Sequence, residues 1–382
     1  MIHLLYIYSE ITIKGGTDKV LTEKANYLAT HGYQVTILTE AQMGRPLSFE
    51  LVPEVRHVDM GLDFNSQYAH GIFRRFMIYS SLMRVYKQKL EQTIKELHPD
   101  IVVTTMGRSL SILPYLNDGS IKIGEAHTTK HHLRSFHLME QRGGLLKWIA
   151  KYMRWRMCRH ASKLSRLVLL TQQDAEDWSG VTKTSIIPNP LSFYPSDAAK
   201  LENEQAIMVG RYNDAKGYDY LIPVWEIVHK QYPNWLLHVY GSGELHDDVV
   251  RWIHERKLEH TIILHEPIDN IQDKYLESSI CVLSSRYEGF SLVIVEAMSC
   301  GVPCVSFDSP CGPRTIIKNE VDGLLVEYLN VKALASGICR LIENPLYRKQ
   351  LGENAKKNIL RFSKENVMKM WVTLFDELIM NK

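Results

Sequence analysis

Short apolar runs alternate with amphipathic stretches from the start of the chain. Residues 2–8 (IHLLYIY) and 33–40 (YQVTILTE) are mostly apolar and predict two buried strands. Between them, 17–32 has apolar residues at helical spacing and ends at Gly32, which predicts a helix. A strand, a helix and a second strand in this order form a βαβ unit and predict a parallel sheet. Further apolar runs predict strands of the same sheet at 100–105, 121–126 and 166–171.

The same pattern starts again after 187–205, a segment with several prolines and serines that we interpret as a linker. A helix is predicted at 218–232, and apolar runs predict strands at 206–210, 234–243, 261–267, 279–285 and 303–307. At 382 residues the chain is long enough for two hydrophobic cores.

We therefore predict an α/β protein with two Rossmann-like parallel-sheet domains that face each other across a cleft. The first domain spans 1–188 and the second 189–362. A final helix at 363–382 packs either back on the first domain or within the second. Ligands of such sheets bind at the carboxyl ends of the strands, so the loops that follow strands are candidate sites.

Composition narrows the class of protein only slightly. Hydrophobic residues make up 45% of the chain and charged residues 23%, and the net charge is +2, which gives no argument for a nucleic-acid partner. We find no apolar run of about 18 residues and no signal-peptide pattern at the N-terminus. The six cysteines do not form paired C-x-x-C motifs, and we interpret them as reduced thiols. We expect a soluble, cytoplasmic protein.

Two acidic residues interrupt the apolar segment at 284–301 (SSRYEGFSLVIVEAMSCG). Glu288 and Glu296 are separated by seven residues. A carboxylate is rarely buried without a partner, because removing its charge from water costs free energy. Ser291 is a residue type favoured at an N-cap, so the pattern predicts a helix that begins after it. Glu288 then lies in the preceding loop and Glu296 in the second turn.

The predicted helix start lies between the two acids. The backbone amides of Phe290, Ser291 and Leu292 would bind a phosphate there, since helix N-termini favour anions. The order carboxylate, anion site, carboxylate matches a ligand made of a sugar, a diphosphate and a ribose. The alternative is a structural helix start in which one acid reaches solvent and the other pairs with a basic residue.

The loop at 210–217 (GRYNDAKG) adds two cations next to a predicted strand end. Arg211 and Lys216 suit a diphosphate, whose delocalised charge favours the guanidinium fork. The alternative is a pair of solvated surface cations.

These segments resemble a known family. VGRYNDAKGYDYLI (208–221) and SSRYEGFSLVIVEAMSCGVPCVSFDSPCG (284–312) are similar to the nucleotide-sugar site of retaining glycosyltransferases of family 4, which have the GT-B fold. Glu288 and Glu296 stand in the E-x7-E pattern of that family. KGGTDKV (14–20), EAHTT (125–129) and DGLLV (322–326) extend the resemblance along the chain.

The resemblance implies a role for each matching residue. Glu296 corresponds to the acid that binds the ribose hydroxyls, and Glu288 to the acid that faces the transferred sugar. Arg211 and Lys216 correspond to the clamp on the leaving diphosphate. Donor contacts are implied for a further set of residues: Gly16, His127, Gly241 and Gly243. Plain structural roles are the alternatives for Gly16, in a loop before a helix, and for His127, as a hydrogen-bonded histidine.

Three positions depart from the family pattern. Ser291 and Glu266 stand where glycine is more usual, and Thr315 stands where a glutamate is common. The chain has no D-x-D motif, so we expect no metal and no other cofactor, with cations and amides neutralising the diphosphate.

A basic and aromatic segment at 142–166 contains eight Lys and Arg residues and no acid, with Trp148, Ile149, Tyr152 and Trp155 interleaved. Such a helix suits an anionic membrane surface, and the alternative is a solvated helix face. Nucleic-acid binding explains the segment less well, because no recognition motif accompanies it.

Taken together, the sequence predicts a retaining glycosyltransferase. It would move a hexosyl group from a nucleotide-diphosphate sugar, with UDP as the expected nucleotide, to a hydroxyl of a growing surface glycan, lipid-linked or free. It would be cytoplasmic, with or without peripheral contact to the inner face of the cell membrane. The alternatives are a UDP-sugar epimerase of the same architecture and a non-catalytic nucleotide-sugar-binding subunit. A dinucleotide-dependent oxidoreductase is disfavoured, because no G-x-G-x-x-G follows the first strand.

Overall fold

The computed structural model describes residues 1–12 and 15–382, which divide into two compact units. The first unit contains residues 1–170, 174–187 and 368–382. The second contains residues 171–173 and 188–367.

The first unit is built on a seven-stranded sheet in which every pairing is parallel, with the strand order β3-β2-β1-β4-β5-β6-β7. Its strands are β1 (His3–Tyr8), β2 (Gln34–Thr39), β3 (Val55–Asp59), β4 (Ile101–Thr104), β5 (Ile121–Glu125), β6 (Arg166–Leu169) and β7 (Thr184–Ile186). The helices that begin within this part of the chain are α1 (Gly16–Thr30), α2 (Ile72–Leu97), α3 (Phe136–Gln141), α4 (Gly144–Ala161) and α5 (Gln172–Asp177).

The second unit has a six-stranded sheet, again parallel throughout, with the order β10-β9-β8-β11-β12-β13. Its strands are β8 (Gln205–Val209), β9 (Leu236–Tyr240), β10 (Ile262–His265), β11 (Ile280–Leu283), β12 (Cys304–Phe307) and β13 (Gly323–Val326). Its helices are α6 (Tyr218–Gln231), α7 (His246–Glu255), α8 (Ile271–Glu277), α9 (Leu292–Ser299), α10 (Gly312–Ile316), α11 (Val331–Glu343) and α12 (Pro345–Asn358), and α13 (Lys364–Met380) ends the chain.

Both sheets have the strand order of a Rossmann-like fold, which confirms the predicted architecture. Strands of a parallel sheet are covered on both faces, so the apolar runs predicted as strands are buried: Leu4, Leu5, Val102 and Val103 are fully inaccessible to solvent. The predicted cleft between the two halves stays a prediction.

The two edge strands of the first sheet, β3 and β7, were not predicted. Both are only partly buried, and β3 carries Arg56, His57 and Asp59 among its five residues. An edge strand faces a neighbour on one side only, and it needs no continuous apolar run.

In each sheet the first strand is central, and later strands are added on both of its sides. The strand order switches from one side to the other between β1 and β4 in the first sheet, and between β8 and β11 in the second. Loops at the carboxyl ends of these central strands are the usual ligand sites of such sheets. The loops that begin at Gly210, Gly241 and Ser284 follow the neighbouring strands β8, β9 and β11. The three segments predicted to carry the second unit's chemistry therefore lie at one edge of one sheet.

The end of α13 packs within the first unit. The Trp371 ring is buried 4.1 Å below the ammonium of Lys24 on α1, and Phe375 meets the Tyr33 ring edge-on at 6.0 Å.

Candidate active site

An ion pair joins the loops that follow β8 and β11. Lys216 Nζ donates a hydrogen bond to Glu288 Oε1 at 2.7 Å, and Ser285 Oγ donates to the same oxygen at 2.7 Å. Glu288 Oε2 has no hydrogen bond within the described residues. Both side chains are largely shielded from solvent, with 19% of Lys216 and 11% of Glu288 exposed. The pair presents one carboxylate oxygen and one ammonium group at the sheet edge.

The position of Lys216 is set by hydrogen bonds from the segment that follows β11. Ser284 Oγ donates to Lys216 O at 2.9 Å, and Arg286 N donates to Ala215 O at 2.8 Å. Gly217 has φ +64°, and a Cβ there would lie 2.2 Å from Ser284 O. Only glycine fits this conformation and this contact, so the end of the 210–217 loop is held against the Glu288 loop.

The glycines after β9 lie against the same loop. Gly210 N donates to Tyr240 O at 3.0 Å, and a Cβ on Gly241 would lie 1.9 Å from Gly210 O. Gly243 has φ +154°, and a Cβ there would lie 2.6 Å from Tyr212 O. The structure thus shows Gly241 and Gly243 allowing two loops to approach, and their expected contact with a donor stays a prediction.

The helix predicted after Ser291 is α9, which begins at Leu292 and ends at Ser299. Ser291 occupies the N-cap position, but its hydroxyl makes no capping hydrogen bond; Ser291 Oγ is buried without a partner among the described residues. The predicted N-cap position is therefore confirmed, although the side chain does not cap the helix.

Backbone N–H groups at the N-terminus of α9 are available to a ligand. Within the described residues, no hydrogen bond is found from the backbone N–H of Phe290, Ser291 or Leu292. The Phe290 ring is buried edge-on against Phe362 at 5.2 Å, which fixes the chain just before the helix. Gly312 lets its own segment approach the Glu288 loop closely, because a Cβ on Gly312 would lie 2.7 Å from Glu288 Cβ. The sequence reading did not single out Gly312 or Ser285.

Glu296 lies inside α9 and is almost fully buried. Its Oε2 accepts a hydrogen bond from Tyr275 OH at 3.4 Å. Burial raises the pKa of Tyr275 well above its ordinary value, and the negative charge of Glu296 adds to the increase. The tyrosine therefore stays a donor and holds this carboxylate.

Arg211 is placed differently from Lys216. Its side chain is exposed, and its guanidinium forms no ion pair or hydrogen bond in the part of the chain that the structure describes. The structure brings Lys216 and Glu288 together, whereas it leaves Arg211 on the surface of the same loop.

Thr315 and Glu266, two departures from the family pattern, lie near this edge. Thr315 is exposed, and its hydroxyl donates to Cys311 O at 3.0 Å; Cys311 in turn forms an isolated parallel bridge with Glu288. Thr315 is thus one turn from the Glu288 loop. Burial raises the pKa of Tyr212 to about 12, and the exposed Glu266 contributes to this shift.

The first unit brings three ionisable residues together at the carboxyl end of β5. Lys24 Nζ on α1 donates to both oxygens of Glu125 at 2.5 Å, and His127 Nε2 lies 3.4 Å from Glu125 Oε1. Burial alone would raise the pKa of Glu125, but the positive charge of Lys24 and its hydrogen bonds hold that pKa below its ordinary value. Burial lowers the pKa of His127, so its imidazole is neutral at neutral pH.

One ring nitrogen of His127 takes no part in this cluster. Nδ1 is buried without a partner among the described residues. The sequence reading selected His127 but missed Lys24 and Glu125. A signal for Lys24 was available, because it lies on the same helical face as Val20, Leu21 and Leu28, and a lysine on a buried face needs a partner.

Gly16 is the first residue of α1, and Gly15 is its N-cap. Ile13 and Lys14, which belong to the same predicted loop, lie outside the described residues. Within residues 1–12 and 15–382, no group of three or more His, Cys, Asp or Glu side chains could hold a metal ion.

Comparison with known proteins identifies the second half of the chain. The family described as Glycosyl transferases group 1 matches residues 195–358. Residues 195–358 are therefore similar to a group 1 glycosyltransferase domain. The prediction that this chain is an enzyme, a glycosyltransferase, is confirmed.

Full-length relatives of this glycosyltransferase have similar names. An uncharacterized glycosyltransferase of Haemophilus influenzae is 27% identical over 364 residues, which cover 94% of this chain and 95% of that protein. The amylovoran biosynthesis glycosyltransferase AmsD of Erwinia amylovora is 25% identical over 383 residues, which cover 97% of this chain and 99% of that protein.

The fold of this glycosyltransferase is GT-B. A crystal structure of a variant of S. aureus TarM, in complex with fondaparinux, α-GlcNAc-glycerol and UDP, has a TM-score of 0.80 and covers 98% of this chain. The whole of the TarM chain is covered, at 17% identity. The predicted fold class is therefore confirmed. Lys216, Glu288 and Glu296 lie inside the glycosyltransferase domain, and Gly16 and His127 lie before it.

Proposed function

We propose that the protein is a retaining glycosyltransferase of family 4 that moves a hexosyl group from a UDP-sugar to a hydroxyl of a growing surface polysaccharide. The observation that carries the proposal is the Lys216–Glu288 pair beside the free amides of α9. The names of two similar proteins support it, since AmsD acts in amylovoran biosynthesis and TarM was crystallised with UDP.

Different residues bind different parts of the donor in this proposal. The amides of 290–292 and the ammonium of Lys216 bind the diphosphate, and exposed Arg211 closes on it from the same loop. Glu288 Oε2 accepts a hydrogen bond from a hydroxyl of the transferred sugar, while Oε1 keeps Lys216 in place. Glu296, held by Tyr275, accepts from the ribose hydroxyls.

The proposed reaction is a displacement on one face of the sugar. The bond from the anomeric carbon to the leaving phosphate oxygen breaks, and the acceptor oxygen forms its bond to that carbon on the same face. The acceptor's proton moves to the departing phosphate oxygen, so no protein base is required. Lys216, Arg211 and the amides stabilise the charge that develops on the diphosphate, and we propose that no metal is needed.

His127 is proposed to contact the sugar. Its neutral imidazole is held by Glu125, and its second nitrogen has no partner among the described residues. Gly16 is proposed to let the donor phosphate and the acceptor approach the backbone at the start of α1.

The test begins with the donor. Thermal shifts against a panel of nucleotide sugars should select a UDP-sugar, since a ligand that binds only the native state raises its stability. With that donor, Lys216→Ala and Glu296→Ala should lose transfer while the proteins stay folded. Near-normal turnover in both variants would overturn the assignment, and isomerised donor without acceptor would indicate an epimerase.

We also propose that 142–166 contacts an anionic membrane surface. Leu145, Trp148, Tyr152 and Trp155 are exposed on α4, with 68% of Trp148 accessible, among lysines and arginines of the same helix. An amphipathic helix of this composition binds at a lipid headgroup region. No helix in the described part of the chain is long and apolar enough to cross a membrane.

A further inference from the structure

The first unit contains a pocket of about 610 Å³. None of the residues that line it has a role in the proposed function. Its walls come from α2 and from three short turns, at Asn65–Ala69, Arg108–Ser111 and Leu133–Ser135. Three aromatic side chains and three arginines line it: Tyr68, Phe76, Tyr79, Arg75, Arg108 and Arg134.

Two of the arginines are held in place by the protein. Arg108 Nη1 donates to Glu40 Oε2 at 2.7 Å, and its guanidinium lies 4.1 Å from the centre of the Phe64 ring. Arg134 donates to Met106 O from Nε at 3.1 Å and from Nη2 at 2.9 Å. Each guanidinium has five N–H donors, so both keep donors for a ligand.

The backbone that positions Arg134 is strained. Arg134 has φ 55° and ψ 21°, and Met106, whose carbonyl it binds, has φ 59°. Non-glycine residues adopt left-handed backbone at a cost in free energy, and such residues concentrate at functional sites. Here the two strained residues hold the guanidinium against the pocket wall.

The third arginine is available to a ligand. Arg75 is exposed and stacks on the Tyr68 ring at 4.2 Å, and its guanidinium has no hydrogen bond or ion pair with any residue that the structure describes. Glu40 neutralises only one of the three guanidinium groups. About two positive charges therefore stay unbalanced, which is the charge complement of a diphosphate diester.

The aromatic wall suits a sugar ring beside that anion. Tyr68, Phe76 and Tyr79 are exposed, with 71% of Phe76 accessible. Ring faces of this kind bury the apolar C–H face of a pyranose, and they orient it without a net charge. The pocket volume falls in the range of ordinary ligand sites.

The pocket adjoins the surface proposed to meet a membrane. Leu110, in the Arg108–Ser111 turn, packs in one core cluster with Ala150 and Met157 of α4. The positive charge of Arg156 on α4 also acts on Arg134.

We infer that this pocket binds the phosphate ester group of the acceptor, with the acceptor's sugar against the aromatic wall. This inference rests on the proposed function, because it assigns the pocket to that reaction's acceptor. A membrane lipid headgroup and a soluble glycan phosphate present the same sugar–phosphate chemistry.

The soluble arm of the test uses inorganic pyrophosphate on the full-length protein, measured by titration calorimetry with UDP present at saturation. UDP occupies the donor loops, so the pyrophosphate reports on the second site. We expect binding to wild type, and a loss of at least about tenfold in Arg75→Gln, because charge-assisted hydrogen bonds are lost. The Arg75 side chain makes only a ring contact, so this variant should fold even if Arg134→Gln, which loses the hydrogen bonds to Met106 O, does not.

Arg84→Gln is the matched control. Arg84 is exposed on the same helix and does not line the pocket, so its loss removes the same charge elsewhere. We expect unchanged pyrophosphate binding in this variant.

The membrane arm compares phosphatidylcholine vesicles with and without a polyprenyl diphosphate. Recruitment by the diphosphate lipid in wild type, lost in Arg75→Gln, identifies a lipid headgroup; binding of pyrophosphate alone identifies a soluble phosphate. Absence of both, or equal affinity in wild type and Arg75→Gln, overturns the inference. Failure of UDP to bind wild type would instead count against the proposed function.

Discussion

The ammonium of Lys216 and the carboxylate of Glu288 lie 2.7 Å apart, although 72 positions separate them in the chain. Each follows a central strand of the same sheet, and the two loops are joined by hydrogen bonds from Arg286 N to Ala215 O and from Ser284 Oγ to Lys216 O. The ion pair orients Lys216 before a donor arrives, so the protein supplies a preorganised charge rather than a mobile one.

Removing the charge of Glu288 should therefore reduce transfer. In Glu288→Gln the amide keeps the shape but no longer attracts Lys216, and we expect kcat to fall about 100-fold or more. Initial rates with the UDP-sugar selected by thermal shift measure this.

The matched control for that variant is Glu320→Gln. Glu320 pairs with Arg340 on the exposed surface of the same unit, where ion pairs contribute little. Its rate should equal that of wild type, and an equal loss of rate in both variants would contradict a special role for Glu288.

Two adjacent glycine sites should respond differently to alanine. In Gly241→Ala the new methyl group would meet Gly210 O at 1.9 Å, a backbone clash, so we expect lower thermal stability together with lost UDP binding. In Gly210→Ala it would meet only the aliphatic carbons of the Lys216 side chain, at 3.3 Å, so we expect weaker UDP binding at near-normal stability.

Melting curves and UDP titrations of both variants measure these effects. Equal melting temperatures for Gly241→Ala and Gly210→Ala would contradict the backbone contact.

The C-terminal helix should stabilise the first unit through Trp371. This side chain is buried beneath Lys24, and Trp371→Ala should cost about 3–5 kcal/mol in the free energy of unfolding. Met370, the preceding residue, is 41% exposed, so Met370→Ala should change the free energy of unfolding by less than about 0.5 kcal/mol. Urea denaturation of the two variants measures the difference, and similar losses would show that the helix does not pack as described.

Stability should fall in mild acid partly through His132. Burial, and after it the charges of the neighbouring His137 and His131, lower the pKa of this imidazole from its ordinary value of 6.5 to about 4. Between these two pH values the unfolded chain binds a proton that the native state does not, so stability decreases as the pH falls from 6.5 to 4.

His132→Gln removes that difference in proton binding. Its melting temperature should therefore decrease less steeply than that of wild type over this pH window, and the two should run parallel above pH 7. Identical slopes between pH 4 and 6.5 would contradict the shifted pKa.

The exposed aromatic residues of α4 should govern membrane binding. The double variant Trp148→Ala and Trp155→Ala should sediment with anionic vesicles several-fold less than wild type, and added salt should weaken both. Leu346→Ala is the matched control, because Leu346 is an exposed apolar residue of the second unit. Equal sedimentation of all three proteins would favour a solvated helix face.

The sequence by itself determined the two parallel sheets and the main site segments. Central strands of a parallel sheet are buried on both faces, so runs such as 2–8 and 279–285 must be apolar wherever they pack. Glycines at a backbone contact cannot be replaced, so Gly217, Gly241 and Gly243 marked the loops around Lys216. These features are local, and local patterns show them.

Only the tertiary structure decided which charges meet. Lys24 and Glu125 are 101 positions apart, and the sequence around either residue does not identify the other as its partner. A lysine on an apolar helix face indicates only that a partner exists. The absence of a capping hydrogen bond at Ser291 is visible only in the structure, and the arginine pocket gathers Arg75, Arg108 and Arg134 from three separate segments. Ion pairs, orphaned donors and pockets depend on distances between segments, and those distances are set by packing across the whole unit.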